Sequence, residues 1–276
     1  MKKCKLVKIK NVPIYIIIII FTVFCLFPLF WIFLSSFKTN SEIMTDTLKL
    51  PEIIIWQNYI KAWENGKMIN YYINTIVVAL TTTLATLLIS SMATYVLARV
   101  RPCMPLYVYF VSGLILPVYV IMLPLLKILN FINLANDLLG LILVYTAVLI
   151  SQSFFVLYSY MKGIPHELEE AAVIDGCSLA TIFFRIILPV TRPGLATVGT
   201  FALLFGWNEY LLPLVLINGN DRYVLSQAIR VFQQDYSTDY GSMTARIVLS
   251  ILPVLLLYII FQQNFVKGMT AGAVKG

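Results

Sequence analysis

Six stretches of 20 residues or more run through this sequence with a single charged side chain among them, Glu209, and they limit the fold more tightly than any motif does. They cover residues 14–36, 72–98, 105–126, 138–160, 194–217 and 247–266. About 20 residues of helix cross the roughly 30 Å hydrocarbon core of a bilayer, where each backbone N–H and C=O must be paired within its own segment. The expected fold class is therefore all-α and integral to the membrane, with six transmembrane helices making one domain over residues 1–276. Composition agrees: 12% of residues are charged and 60% hydrophobic, whereas soluble domains carry about 25% charged residues. A soluble enzyme is excluded, and the loops leave no room for a separate catalytic domain.

Orientation follows from the basic residues. An even number of crossings puts both ends on one side. Residues 1–13, 99–104, 161–193 and 267–276 hold 12 of the 20 Lys and Arg, with Lys2, Lys3, Lys5, Lys8 and Lys10 supplying much of the excess. The longer opposite loops, 37–71, 127–137 and 218–246, hold the other 8. The positive-inside rule then places both termini in the cytoplasm. The first apolar stretch is long for a signal core and no small-x-small cleavage site closes it, so it is expected to be retained.

Reactive chemistry is scarce. Cys4, Cys103 and Cys177 fall on the expected cytoplasmic side and Cys25 inside the first span, so no disulfide is expected. There is no CxxC pair, His166 is the sole histidine, and no HExxH, Asp-Asp or Ser-His combination occurs. Neither a metal site, a cofactor nor catalytic residues are expected. The P-loop pattern GxxxxGK[ST] is also absent, so ATP-driven work would need a partner that binds the nucleotide.

The one long cytoplasmic loop, 161–193, concentrates four of the thirteen acidic residues: Glu167, Glu169, Glu170 and Asp175. Pro165 followed by carboxylates predicts a helix start, because proline suits the first helical position and acids suit the positive end of the helix dipole. Gly176 should end that helix, and a second piece from Ser178 to about Leu188 should stop at Pro189. Leu168, Ala171 and Ala172 share a face at three- and four-residue spacing, a narrow surface for a close partner. An amphipathic hairpin lying on the bilayer would show the same periodicity.

The residue string goes further. Glu170-Ala171-Ala172, Gly176, then Ile186-x-Leu188-Pro189, preceded by Glu169 and with Asp175 before the glycine, resembles the EAA loop of permease subunits of ATP-binding-cassette importers. Asn74-Thr75 opening the second span, Ala98-Arg99 closing it, Trp207-Asn208-Glu209-Tyr210-Leu211-x-Pro213-Leu214, Phe265-Val266-Lys267-Gly268 and the terminal Gly272-Ala273-Val274-Lys275-Gly276 extend the likeness. The ordered set over about 200 residues resembles the second permease of maltose-type sugar importers. That resemblance implies a prokaryotic cell-membrane protein with a homologous second permease, two ATPase subunits, an extracellular substrate-binding protein and a sugar substrate; no nucleic acid is implied. It makes Glu169, Glu170, Ala171, Ala172, Asp175, Gly176, Leu188 and Pro189 an ATPase-coupling loop, with Glu170 to Gly176 entering a cleft on the ATPase. Gly176 would permit a sharp turn that a side chain would hinder. The tail, Gly272, Lys275 and Gly276, becomes a second ATPase contact, and Trp207, Asn208 and Glu209 border the translocation path.

Glu209 carries two readings. A carboxylate at membrane depth is costly and is usually functional, so an ion-gradient-driven carrier could use it as its coupling residue. No second acid or histidine lies in a span to pass a proton on, which favours a structural carboxylate bonded with Asn208 and neighbouring helices. Outside, residues 52–64 predict an interfacial helix bearing Trp56, Tyr59 and Trp63, or a receiving surface for the binding protein. The loop 218–246, with Tyr223, Phe232, Tyr236 and Tyr240, is the other receiving surface.

Overall fold

The computed structural model describes residues 12–46, 48–64, 67–232 and 239–273, and among them it contains helices and turns but no strand. In chain order the α-helices are α1 (Val12–Ser35), α2 (Asn40–Thr45), α3 (Gln57–Glu64), α4 (Met68–Tyr95), α5 (Met104–Ser112), α6 (Met122–Phe131), α7 (Leu138–Lys162), α8 (Glu167–Ile174), α9 (Leu179–Ile182), α10 (Leu188–Val190), α11 (Arg192–Asn208), α12 (Leu211–Leu216) and α13 (Tyr240–Ala273). A π-helical turn, Val96–Val100, prolongs α4, and a second, Phe183–Ile187, joins α9 to α10. Short 3₁₀ turns occupy Asn220–Arg222 and Leu225–Phe232.

Three of these helices are long and apolar enough to cross a bilayer: Pro13–Ser35, Met68–Val100 and Leu138–Lys162. The pair Leu179–Val190 and Arg192–Asn208, bent by 77°, meets the same measure only when its two pieces are taken together, as a broken span or a re-entrant loop. The expected stretches 14–36, 72–98 and 138–160 thus map onto single helices. The stretch 105–126 does not. It breaks between Ser112 and Met122 around Pro117, which has no N–H for a helical bond, and only α5 and the start of α6 are helical. The stretch 194–217 is interrupted at Glu209 and Tyr210, and 247–266 lies inside the longer α13.

The chain divides into two compact units. One comprises residues up to 66 with 229–251. In it α1 exposes a continuous apolar surface, including Ile17, Phe21 and Phe24, as a lipid-facing helix does. The turn after α1 is fastened by Asn58, whose amide donates to the carbonyls of Ser36 (3.0 Å) and Lys38 (2.9 Å). Tyr59 is turned onto the Ser36 hydroxyl (2.7 Å) while Trp56 and Trp63 stay exposed. The expected helix over 52–64 begins only at Gln57.

The second unit comprises 67–228 with residues from 252 onward. Its centre is α4, packed against α7 and α11. The buried face of α4 is small and hydroxylic: Thr75, Ala79, Thr82, Thr86, Ser90 and Thr94 recur at three- and four-residue steps. In lipid there is no hydrophobic drive between helices, so small residues that allow close approach hold the pair together. Some α4 hydroxyls bond back along their own helix, Thr75 to Tyr71 O (2.8 Å) and Thr83 to Ala79 O (2.7 Å), which lowers the cost of burying them, whereas those of Thr82, Thr86 and Thr94 have no hydrogen-bond partner among the described residues. A larger apolar cluster of Val78, Leu129, Leu141, Tyr145, Leu212 and Leu216 joins α4, α6, α7 and α12.

Candidate functional site

The acidic loop folds as the helix, turn and helix expected of it. Its first helix, α8, starts one residue after His166 and carries Glu167, Glu169 and Glu170 in the first turn, at the positive end of its dipole. The helix ends in a Schellman motif: the Gly176 amide donates to Val173 O (3.0 Å) and the Cys177 amide to Ala172 O (2.9 Å), with Cys177 packed over the cluster that holds Ala172. Gly176 has φ +77°, and no atom lies within 4 Å of where its β-carbon would be. The turn therefore needs glycine for its left-handed backbone. A side chain would hinder the sharp turn, as expected, through strain in its own left-handed backbone and not through crowding by a distant neighbour.

Ser178 opens the second helical piece, accepting the Thr181 amide at 3.3 Å. That piece does not stop at Pro189. The π turn Phe183–Ile187 widens the helix just before the proline, with the Leu188 amide reaching Phe183 O, and the run continues to Val190 before bending at Thr191. A widened turn accommodates the ring that would otherwise meet the carbonyl four residues back.

Which way each residue faces differs in part from the expected shared face. Ala172 is buried among Tyr95, Met161, Ile164, Ile182, Phe183 and Ile187, whereas Leu168 and Ala171 are exposed. Glu169 also turns inward. Its carboxylate meets Arg99, with Nη2 at 2.7 Å and Nε at 2.9 Å from Oε2. Left on the outer surface are Glu170, Ala171, Asp175 and Gly176, together with the apolar Val173 and Ile174, the latter 85% exposed. Leu188 and Pro189 are half-buried.

Arg99 is the residue that sequence reasoning passed over. It stands on the π turn that ends α4, its side chain 1% exposed, and besides Glu169 it donates to Ile164 O (2.8 Å), Pro165 O (3.3 Å) and Met161 O (3.4 Å). Those carbonyls close α7 and lead into α8. One guanidinium thus joins the ends of α4 and α7 to the start of α8, a task suited to its planar fork of donors. The signal available beforehand was the Ala98-Arg99 pair at the end of the second span.

The remaining candidates lie elsewhere. Glu209 is buried in the break between α11 and α12, where Oε1 accepts the amides of Leu211 (2.9 Å) and Leu212 (3.0 Å) and Oε2 accepts the Tyr119 hydroxyl (3.2 Å). Its backbone carbonyl accepts from Ser226 (2.7 Å). Asn208 does not bond to it; the Asn208 amide folds back to Leu204 O (3.0 Å), and Trp207 is buried. Gly272 falls in the last turn of α13, while Lys275, Gly276, Tyr236 and the five N-terminal lysines lie outside the described residues. No group of His, Cys, Asp and Glu able to hold a metal occurs among the described residues.

Known proteins share this sequence and architecture. The family described as binding-protein-dependent transport system inner membrane component matches residues 85–271, which include the whole of the α8 to α10 loop. The diacetylchitobiose uptake system permease of Streptomyces coelicolor is 36% identical over 88% of this chain and 82% of its own. The arabinooligosaccharide transport system permease of Bacillus subtilis is 32% identical over 89% of each. A chain in the crystal structure of a bacterial ABC transporter involved in the import of the acidic polysaccharide alginate superposes with a TM-score of 0.77 at 22% identity, covering 93% of this chain and 96% of that one, a likeness of fold. The chain belongs to the inner-membrane components of binding-protein-dependent transport systems.

Proposed function

We propose that this chain is a transmembrane permease subunit of an ATP-binding-cassette importer for a sugar or oligosaccharide. It forms half of the translocation path beside a homologous permease, crosses the membrane six times with both termini cytoplasmic, and catalyses no covalent step. Two separate ATPase subunits supply the energy, and an extracellular binding protein delivers the substrate. The named substrates of relatives such as the two permeases above support the carbohydrate class. A chain of a second alginate transporter structure, in complex with a pentasaccharide-bound periplasmic protein, superposes with a TM-score of 0.65 at 15% identity, a likeness of fold that is compatible with a binding-protein partner.

The observation that carries the reading is the loop of α8 to α10. Its inner side is fixed by Arg99 and an apolar cluster, while Glu170, Ala171, Asp175 and Gly176 face outward with Val173 and Ile174. A knob of this kind, polar at its rim, apolar at its tip and stiff at its base, suits insertion into a cleft of another protein. Closure of the ATPases would displace the knob and change the access of the path, and docking of the binding protein would favour the outward-open state. Leu188 and Pro189 would carry the movement into α11, the tail around Gly272, Lys275 and Gly276 would add a second contact, and Trp207 and Asn208 would border the path.

Co-purification with the ATPase tests this, comparing the wild type with Gly176→Pro and Glu170→Arg. Both variants should lose ATPase assembly and ATP-driven uptake while remaining in the membrane. Retention of both properties by both variants would overturn the coupling assignment.

A further inference from the structure

Displacing α8 moves substrate only if the displacement reaches the spans, and the chain offers two routes. One is the covalent path through α9, α10 and α11. That path contains a π turn and a 77° bend at Thr191, so it is not a straight strut. The other is non-covalent and runs through Arg99.

We propose that Arg99 is the positioning residue that transmits movement of the α8 loop into α4, and that the Arg99–Glu169 pair is its connecting element. This rests on the coupling reading above. Pulling a buried guanidinium away from its carboxylate leaves a buried charge uncompensated, which is strongly unfavourable, so the two partners move together. At Arg99 four residues share that guanidinium, Glu169 on α8, Met161 in the last turn of α7 and Ile164 and Pro165 on the link between them, and the arginine itself stands on the π turn that prolongs α4. Beneath it Tyr95 of α4 packs on Phe183 of the second π turn, ring centroids 5.2 Å apart, and both join the cluster that holds Ala172. A shift of α8 therefore either carries the end of α4 with it or separates a charge pair whose guanidinium is buried and whose carboxylate is largely so. Because α4 packs on both α7 and α11, it is the helix through which a single movement reaches the rest of its unit.

Hydrogen exchange on the assembled transporter, free of nucleotide and after trapping with ATP and vanadate, distinguishes the routes without requiring a sugar. The readout is the trapping-dependent change in peptides from 167–175 and from 84–100. In the wild type both should change. In Arg99→Gln and Glu169→Gln the 167–175 peptide should still respond, and the change at 84–100 should shrink by about 2- to 30-fold, the range found for residues that couple distant sites. The doubly substituted chain should lose no more than Arg99→Gln alone.

A merely structural role would alter 84–100 equally with and without nucleotide, leaving the difference intact, and that result would overturn the proposal. So would a wild-type response confined to 167–175, or additive losses in the double variant. If Arg99→Gln does not assemble, Glu169→Gln decides alone, since it is near-isosteric and leaves the carbonyl bonds of Arg99 in place. Failure of the coupling reading has a different signature: in the assembled wild type, 167–175 would not respond to trapping at all.

Discussion

Gly206 on α11 meets Ala79 on α4 backbone to backbone: a β-carbon at Gly206 would stand 2.9 Å from Ala79 Cα and 3.2 Å from Ala79 Cβ. Helices in lipid gain their adhesion from such close contact, so the smallest side chain sits where the two axes come nearest. Gly206→Ala should push the helices apart at a cost of about 1–3 kcal/mol, the usual range for overpacking. Gly199→Ala, two turns away on the same face, comes no nearer than 3.3 Å to the flexible Leu87 side chain and 3.9 Å to Thr83 Cγ2, and should cost less. Thermal unfolding of the purified subunit in detergent checks the order; equal midpoints for the two variants would refute the close-contact account.

At Gly176 the backbone and not the space sets the requirement, because φ is +77° and nothing lies within 4 Å of the missing β-carbon. Asparagine tolerates this conformation better than alanine although it is larger. Gly176→Asn should therefore retain more ATPase assembly than Gly176→Ala, whose left-handed backbone costs about 1–2 kcal/mol. A quantitative pull-down with the ATPase gives the ranking. If alanine performs better than asparagine, side-chain volume governs the turn and the Schellman geometry does not.

These two glycines mark how far the sequence could be read. Helical class and the loop of α8 to α10 follow from local signals, namely apolar length, Pro165, the acidic first turn and Gly176. The breaks at 113–121 and at Glu209 do not, because an apolar run has the same composition whether its helix is continuous or interrupted. Outward and inward faces of α8 were likewise hidden: Ala171 and Ala172 are chemically identical, and only the position of Tyr95, Met161 and Phe183 decides which is buried. Asn74-Thr75 and Ala98-Arg99 were legible as motifs before they had roles. Asn74 donates to Asp221 O and Tyr223 O (both 3.0 Å) and Thr75 accepts the Leu225 amide (2.7 Å), so the first pair fastens one end of α4 as Arg99 fastens the other.

A pH dependence is built into α2. Thr39 and Glu42 form a capping box, in which the Thr39 amide donates to Glu42 Oε2 (2.8 Å) and the Glu42 amide to Thr39 Oγ1 (3.2 Å), while the Glu52 amide donates to Glu42 Oε1 (3.0 Å). The Thr39 backbone bond, then that of Glu52, holds the Glu42 carboxyl below the usual glutamate range. A folded-state value below the unfolded one contributes stability that is fully present above the unfolded value and is lost as pH falls through the folded one. Protection of residues 39–52 against hydrogen exchange, corrected for intrinsic rates, should therefore fall on acidification from about pH 5 to about pH 3, where glutamates protonate. Glu42→Gln should flatten that dependence, and an unchanged profile in the variant would assign it to another group.

Glu209 separates an ATP-driven permease from an ion-driven carrier in one substitution. Its Oε1 accepts the first two amides of α12 and its Oε2 the Tyr119 hydroxyl, so the carboxylate closes a helix end in the middle of an apolar stretch. Glutamine keeps an oxygen for the two amides but cannot exchange a proton. Glu209→Gln should consequently retain uptake and thermal stability close to wild type, whereas Glu209→Ala, which removes the cap, should lose about 1 kcal/mol of stability. A carrier that loads and releases a proton at this residue would give the opposite result: glutamine would fold normally and abolish uptake. Uptake by Glu209→Gln cells, measured with the proton and sodium gradients collapsed and ATP maintained, then isolates the remaining energy source. Transport that persists there has no ion gradient to drive it, which is the outcome required by the proposed coupling through the loop of α8 to α10.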